Sequence, residues 1–92
     1  MTRAEVARRT KEILVDGLRL EITPDEIVDT DPIFGEMLGL DSIDILEFVQ
    51  LVELEFGVAI SDEEVVRQAL ESIDSLAGFI LAQTEAKAAL SR

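Results

Sequence analysis

Gly39-Leu40-Asp41-Ser42-Ile43-Asp44-Ile45-Leu46-Glu47-Phe48-Val49-Gln50-Leu51-Val52-Glu53-Leu54-Glu55-Phe56-Gly57 is the stretch on which the reading of this chain turns. A polar Asp-Ser pair opens it, a periodic apolar run follows, and a glycine closes it. Serine is among the best helix N-cap residues, because its hydroxyl accepts a hydrogen bond from a backbone N–H that has no partner inside the helix. A helix is therefore expected from Ser42 to Phe56, capped by Ser42 and ended by Gly57. At 100° per residue, Ile45, Phe48, Val49, Val52 and Phe56 fall on one side and form a core stripe. Ile43, Leu46, Gln50 and Leu54 fall on roughly the opposite side, with Glu47 and Glu53 beside them. A helix lying on a core needs one apolar face. The second calls for a partner, either elsewhere in the chain or on another protein.

Upstream, Thr2-Arg3-Ala4-Glu5 has the spacing of a capping box, and Val6, Ile13, Leu14 and Leu18 recur with helical spacing. A first helix is expected over residues 3–20, with Gly17 weakening its last turn. Residues 21–41 are punctuated by Thr23-Pro24, Asp31-Pro32, Gly35 and Gly39, which makes a long loop. Loops of this length in small domains are functional or partly structured, and its apolar residues suggest that it folds over the core, with a helical turn near 25–28 or 35–38. Downstream, Ser61-Asp62-Glu63-Glu64 starts a short third helix to about Ala69, with Ser61 as its cap. Asp74 or Ser75 caps a fourth, carrying Leu76, Phe79, Ile80 and Leu81. The Ala-rich residues 82–92 read as a fraying helical tail. The expected fold is all-α: a single domain over 1–92, a bundle of three long helices and one short one, with a long loop between the first two.

Composition narrows the chemistry. A chain of 92 residues buries only roughly 60–65% of the surface its unfolded form exposes, so it has one modest core and no deep cleft. Neither Cys nor His is present, which removes disulfides, thiolate nucleophiles, the usual zinc ligands and the usual general base. A Ser-His-Asp hydrolase is excluded, and no catalytic residue is assigned. A calcium loop starting at Asp29 would place Ile33, Phe34 and Leu40 where an oxygen ligand, a glycine and a glutamate belong, so no metal site is expected. The N-terminus carries no apolar run of signal-peptide length, and no stretch approaches a membrane span. A soluble, cytoplasmic monomer is expected.

The charge is unevenly spread. Net charge is -12, and residues 20–66 hold 14 acidic side chains with no Lys or Arg. Such a surface repels nucleic acid and anionic membranes, and it suits steering toward basic patches on partner proteins.

Gly39-Leu40-Asp41-Ser42-Ile43-Asp44 resembles the phosphopantetheine attachment motif of acyl carrier proteins. Leu46-Glu47-Phe48-Val49, Leu54-Glu55-Phe56-Gly57-Val58, Ile60 and Ser61-Asp62-Glu63-Glu64 resemble that family's second helix and the start of its third, at the same offsets from the serine. The likeness covers roughly residues 31–80. It implies that Ser42 receives 4′-phosphopantetheine from coenzyme A through a separate, magnesium-using phosphopantetheinyl transferase. It implies that Asp41 contacts that transferase or helps hold its metal, and that Ile43 inserts into partner pockets. Asp44, Glu47, Glu53 and Glu55 would meet Arg and Lys on partner enzymes (acyltransferases, ketosynthases or acyl ligases), alongside Leu46, Gln50 and Leu54. The chain would then be a non-catalytic carrier, the reactive thiol belonging to the cofactor. Phe34, Leu38, Phe48, Val52, Phe56, Ile60 and Phe79 would line any space for a sequestered acyl chain. Gln50 and Leu54 depart from fatty-acid carriers, and residues 64–76 run about two residues longer than in them. Asp31-Pro32-Ile33-Phe34-Gly35 together with the attachment motif looks more like specialised stand-alone carriers of secondary metabolism. An acidic adaptor without a cofactor, and a peptidyl or aminoacyl carrier, stay open as alternatives.

Overall fold

The computed structural model describes residues 2–33, 39–60 and 62–90, with the backbone alone for 87–90. Among them are four α-helices and one short 3-10 turn, with no strand: α1 (Arg3–Gly17), the turn Pro24–Glu26, α2 (Ser42–Phe56), α3 (Glu63–Ala69) and α4 (Ile73–Leu90). The all-α expectation holds, and the extra turn falls at the first of the two positions expected for it. The second, 35–38, lies outside the described residues.

α1 starts where its capping box predicts: the Thr2 side chain accepts from the Glu5 N–H, and Glu5 accepts from the Thr2 N–H. It ends at Gly17 rather than near residue 20. Arg19 adopts a positive φ of 55°, and the Leu20 N–H reaches back to the Val15 carbonyl at 2.9 Å, a closing bond of the kind that satisfies the last carbonyls of a helix. Gly17 also serves packing, since a Cβ there would collide with the Leu51 side chain of α2. A glycine expected only to loosen α1 thus lets two helices approach closely.

The core is built from one stripe per helix. Val6, Leu14, Phe48, Val52, Leu70, Ile73, Leu76 and Ile80 are each exposed by no more than 1%. α1 packs against both α4 and α2, and α3 packs on α4. Thr10, the buried polar side chain, bonds back to the Val6 carbonyl at 2.7 Å, so its hydroxyl enters the core satisfied.

α4 corrects the expected cap. It begins at Ile73, not after Asp74 or Ser75. Ser72 does the capping: its Oγ accepts from the Ser75 N–H at 3.1 Å, and the Ser75 Oγ accepts from the Ser72 N–H at 3.0 Å. Asp74 points its carboxylate to Arg3 of α1 instead, at 3.2 Å. α3 is capped by Asp62, whose carboxylate takes the Glu64 and Val65 N–H groups; Ser61, expected in that role, lies outside the described residues. The helix of α4 continues through Leu90, so residues 82–90 extend it.

The loop between α1 and α2 is pinned at several points. Arg8 meets Asp25 at 3.6 Å, and Lys11 meets Asp29. The Asp74 N–H donates to the Asp29 carbonyl at 2.9 Å, and the Ile33 N–H to the Glu71 carbonyl at 3.1 Å. Pro32 and Ser72 form an isolated antiparallel bridge. Backbone bonds of this sort satisfy part of the loop's polar main chain where it lies across the bundle.

Candidate functional site

The start of α2 is organised by Asp41, not by Ser42. The Asp41 Oδ1 accepts from the Asp44 N–H at 2.8 Å, and the Asp44 Oδ2 accepts from the Asp41 N–H at 3.3 Å. This reciprocal pair makes Asp41 the N-cap and moves Ser42 to the first helical position, which corrects the expected cap by one residue. Aspartate caps as well as serine, and its negative charge also suits the positive end of the helix dipole. The consequence for Ser42 is chemical. Its side chain is exposed, and its hydroxyl makes no hydrogen bond among the described residues, because the capping work is done next door. First-turn N–H groups have no partner inside the helix, so those of Ser42 and Ile43 are at hand beside that oxygen.

Gly39, at φ 61°, turns the chain into this segment with open space where a Cβ would stand. On the other side of Ser42 lies an open groove with a volume of about 960 Å³. It is lined by Thr30 and Pro32 of the loop, Ser42 and Ile45 of α2, Glu63, Val66 and Arg67 of α3, and Glu71 and Ser72 between α3 and α4.

The other expected site residues separate into two groups. Ile43, Leu46 and Leu54 are exposed by 75%, 61% and 83%, and Glu47 and Gln50 are exposed with them, so the second face of α2 has no partner among the described residues. Asp44, Glu53 and Glu55 are engaged within the chain. Asp44 completes the cap, and Glu53 accepts the Ile60 N–H at 2.9 Å, bracing the α2–α3 link. Glu55 meets Arg9 of α1 at 2.7 Å. That hydrogen bond holds the Glu55 carboxyl below the usual carboxylate range and raises the Arg9 guanidinium in turn. The groove wall of Thr30, Pro32, Val66, Arg67 and Ser72 was not foreseen. Arg67 alone carried a signal, as the one Lys or Arg between residues 20 and 86. Of the residues expected to line a buried acyl space, Phe48, Val52 and Ile60 are buried in the core, while Phe56 and Phe79 pack at its edge. Phe34 and Leu38 lie outside the described residues.

No group of three or more metal-ligating side chains forms among the described residues, and no helix in them is long and apolar enough to cross a membrane. The fold is thus a small helical bundle with an exposed serine at the start of α2, beside a groove and an apolar helix face that has no partner among the described residues. Residues 11–80 match the family described as a phosphopantetheine attachment site. An acyl carrier protein of Solidesulfovibrio magneticus is 39% identical over 75 residues, covering 82% of this chain and 90% of the relative. One of Zymomonas mobilis is 41% identical over 76 residues, covering 77% and 94%. The solved structure of the acyl carrier protein from Enterococcus faecalis superposes with a TM-score of 0.68 at 33% identity, over 89% of this chain and 98% of that one. The chain belongs to the acyl carrier protein family, whose phosphopantetheine-attachment domain carries covalently bound 4′-phosphopantetheine and is not itself an enzyme.

Proposed function

We propose that Ser42 is the point at which 4′-phosphopantetheine is attached, and that the chain carries acyl groups on that arm to enzymes of fatty acid, polyketide or related biosynthesis. The observation that carries this is the Ser42 hydroxyl itself: exposed and without a hydrogen bond among the described residues, while Asp41 and Asp44 cap the helix between them. The residues fit the group. A phosphodiester on Ser42 would stand in the positive end of the α2 dipole, next to N–H groups that the helix leaves without partners, and the adjoining groove has room for the arm.

When bound, the arm supplies a terminal thiol to which acyl groups are esterified, a nucleophile this chain lacks for want of cysteine. Ser42 anchors it, and Asp41 holds the helix start in place. Ile43, Leu46, Gln50 and Leu54 offer a face on which a partner enzyme docks, with Glu47 at its edge to meet Lys or Arg. Phosphopantetheinyl transferase is the first such partner. Acyltransferases, ketosynthases or acyl ligases with basic docking patches are the later ones, in the cytoplasm and with the carrier as a monomer.

Loading tests the assignment. Incubation with coenzyme A, magnesium and a broad phosphopantetheinyl transferase is expected to add one phosphopantetheine mass to the wild-type chain and none to Ser42→Ala. An unmodified wild-type chain, or a modified Ser42→Ala, would sink it.

A further inference from the structure

We infer that Arg67 is the countercharge for the phosphodiester of a Ser42-linked phosphopantetheine, holding the first part of the arm against the groove between α2 and α3. The inference rests on the assignment of Ser42 just made. Arg67 is the one Lys or Arg in residues 20–86, and it lines the same groove as Ser42. Acids stand four residues before and after it, Glu63 and Glu71, the spacing at which helix-surface charges pair. Yet the ion pairs found among the described residues use Arg3, Arg8, Arg9 and Lys11, and Arg67 is in none of them.

Electrostatics then decides where the arm lies. A phosphodiester on Ser42 adds a negative charge beside the carboxylates of Asp41 and Asp44, and the acids Glu63 and Glu71 border the groove as well. Among the described residues that line the groove, Arg67 is the one cation. A guanidinium binds phosphate through paired, charge-assisted hydrogen bonds, which the N–H groups at the start of α2 supplement but do not replace. Ile45, Val66 and Pro32 line the same space and offer apolar ground to the carbon chain beyond the phosphate. An arm so held leaves the outer face of α2, with Ile43, Leu46 and Leu54, clear for docking.

The test compares unloaded and loaded ¹⁵N-labelled chains, wild type and Arg67→Gln, with loading driven to completion and verified by intact mass. In the wild type, loading is expected to shift the Arg67 Nε–H resonance and the α3 amides. Those shifts should shrink in about 1 M salt, where the screening length falls to ~3 Å. In loaded Arg67→Gln the α3 shifts should be lost while those around Ser42 persist, and Arg67→Lys should restore part of them. A fully loaded wild type whose Arg67 signal does not move, or α3 shifts that survive in Arg67→Gln, overturns the inference and leaves Ser42 standing. A wild type that gains no mass overturns both.

Discussion

Asp41 ties the start of α2 to the state of its neighbour Ser42. By accepting the Asp44 N–H it starts α2, and in doing so it relieves the neighbouring Ser42 hydroxyl of the capping bond. The two roles can be separated. Asp41→Ala removes the cap and should lower unfolding free energy by about 1 kcal/mol, read by thermal or urea melts. Asp41→Asn keeps a capping oxygen, so its melt should stay close to wild type. If the carboxylate charge also serves the transferase, Asp41→Asn should load more slowly at unchanged stability. Loading at the wild-type rate would confine Asp41 to capping. Glu55 makes a different prediction. Arg9 holds its folded-state pKa below that of the unfolded chain, so the pair contributes stability above the ordinary carboxylate range, near 4.3. That contribution is lost as pH falls through the depressed folded value. The melting temperature of wild type should therefore exceed that of Glu55→Gln at pH 7, and the gap should close in acid. A gap that persists below both values would mean that packing, not charge, is responsible.

At the scale of elements, α2 faces two ways, and mutations should report the difference. Phe48 is fully buried; Phe48→Ala should cost about 3–5 kcal/mol, a large share of the roughly 5–15 kcal/mol that holds a small domain folded. Leu54 is 83% exposed, so Leu54→Ala should change stability by no more than about 0.5 kcal/mol while weakening partner reactions. Glu47→Lys on the same face should slow those reactions and leave the helical circular dichroism signal intact. Loss of the signal would make Glu47 structural. Most of this helix could be read directly from its residues, because period and glycine are local: the core stripe Phe48, Val49, Val52 and the stop at Gly57 needed no tertiary information. The cap lies one residue before the expected serine because aspartate and serine compete for the same position on nearly equal terms, and the Asp44 reciprocal bond decides between them. The groove was invisible for another reason. Its lining comes from the loop, α2, α3 and the start of α4, with Pro32 and Ser72 joined by a bridge between residues far apart in the chain, and no local pattern announces such a pairing. Glu53 and Glu55 carry the same acidic signal as Glu47, yet the fold engages them within the chain, Glu53 with the Ile60 N–H and Glu55, still exposed, with Arg9.

The whole molecule carries its charge as a division of labour. The basic residues of α1 are spent on holding the fold together: Arg3 reaches Asp74 of α4, Arg8 and Lys11 reach the loop, and Arg9 reaches Glu55 of α2. What remains is a net charge of -12, so the compact state repels itself. Added salt therefore acts in two opposed ways. It weakens the attractive pairs, but these are surface pairs, each of little weight and set at short range, where screening is least effective. It also weakens repulsion among the 14 acids of residues 20–66, which acts over many longer distances. Raising ionic strength from about 0.01 M to about 0.15 M shortens the screening length from roughly 30 Å to roughly 8 Å, against a molecule measuring 42 × 26 × 20 Å. Repulsion across the body is thus screened while contacts at about 3 Å largely survive. The melting temperature at pH 7 should rise over that range, and loading Ser42 with one further negative charge should make the rise steeper. A melting temperature that falls with salt would mean that the pairs made by α1, and not the crowded acids, dominate the electrostatics of this fold.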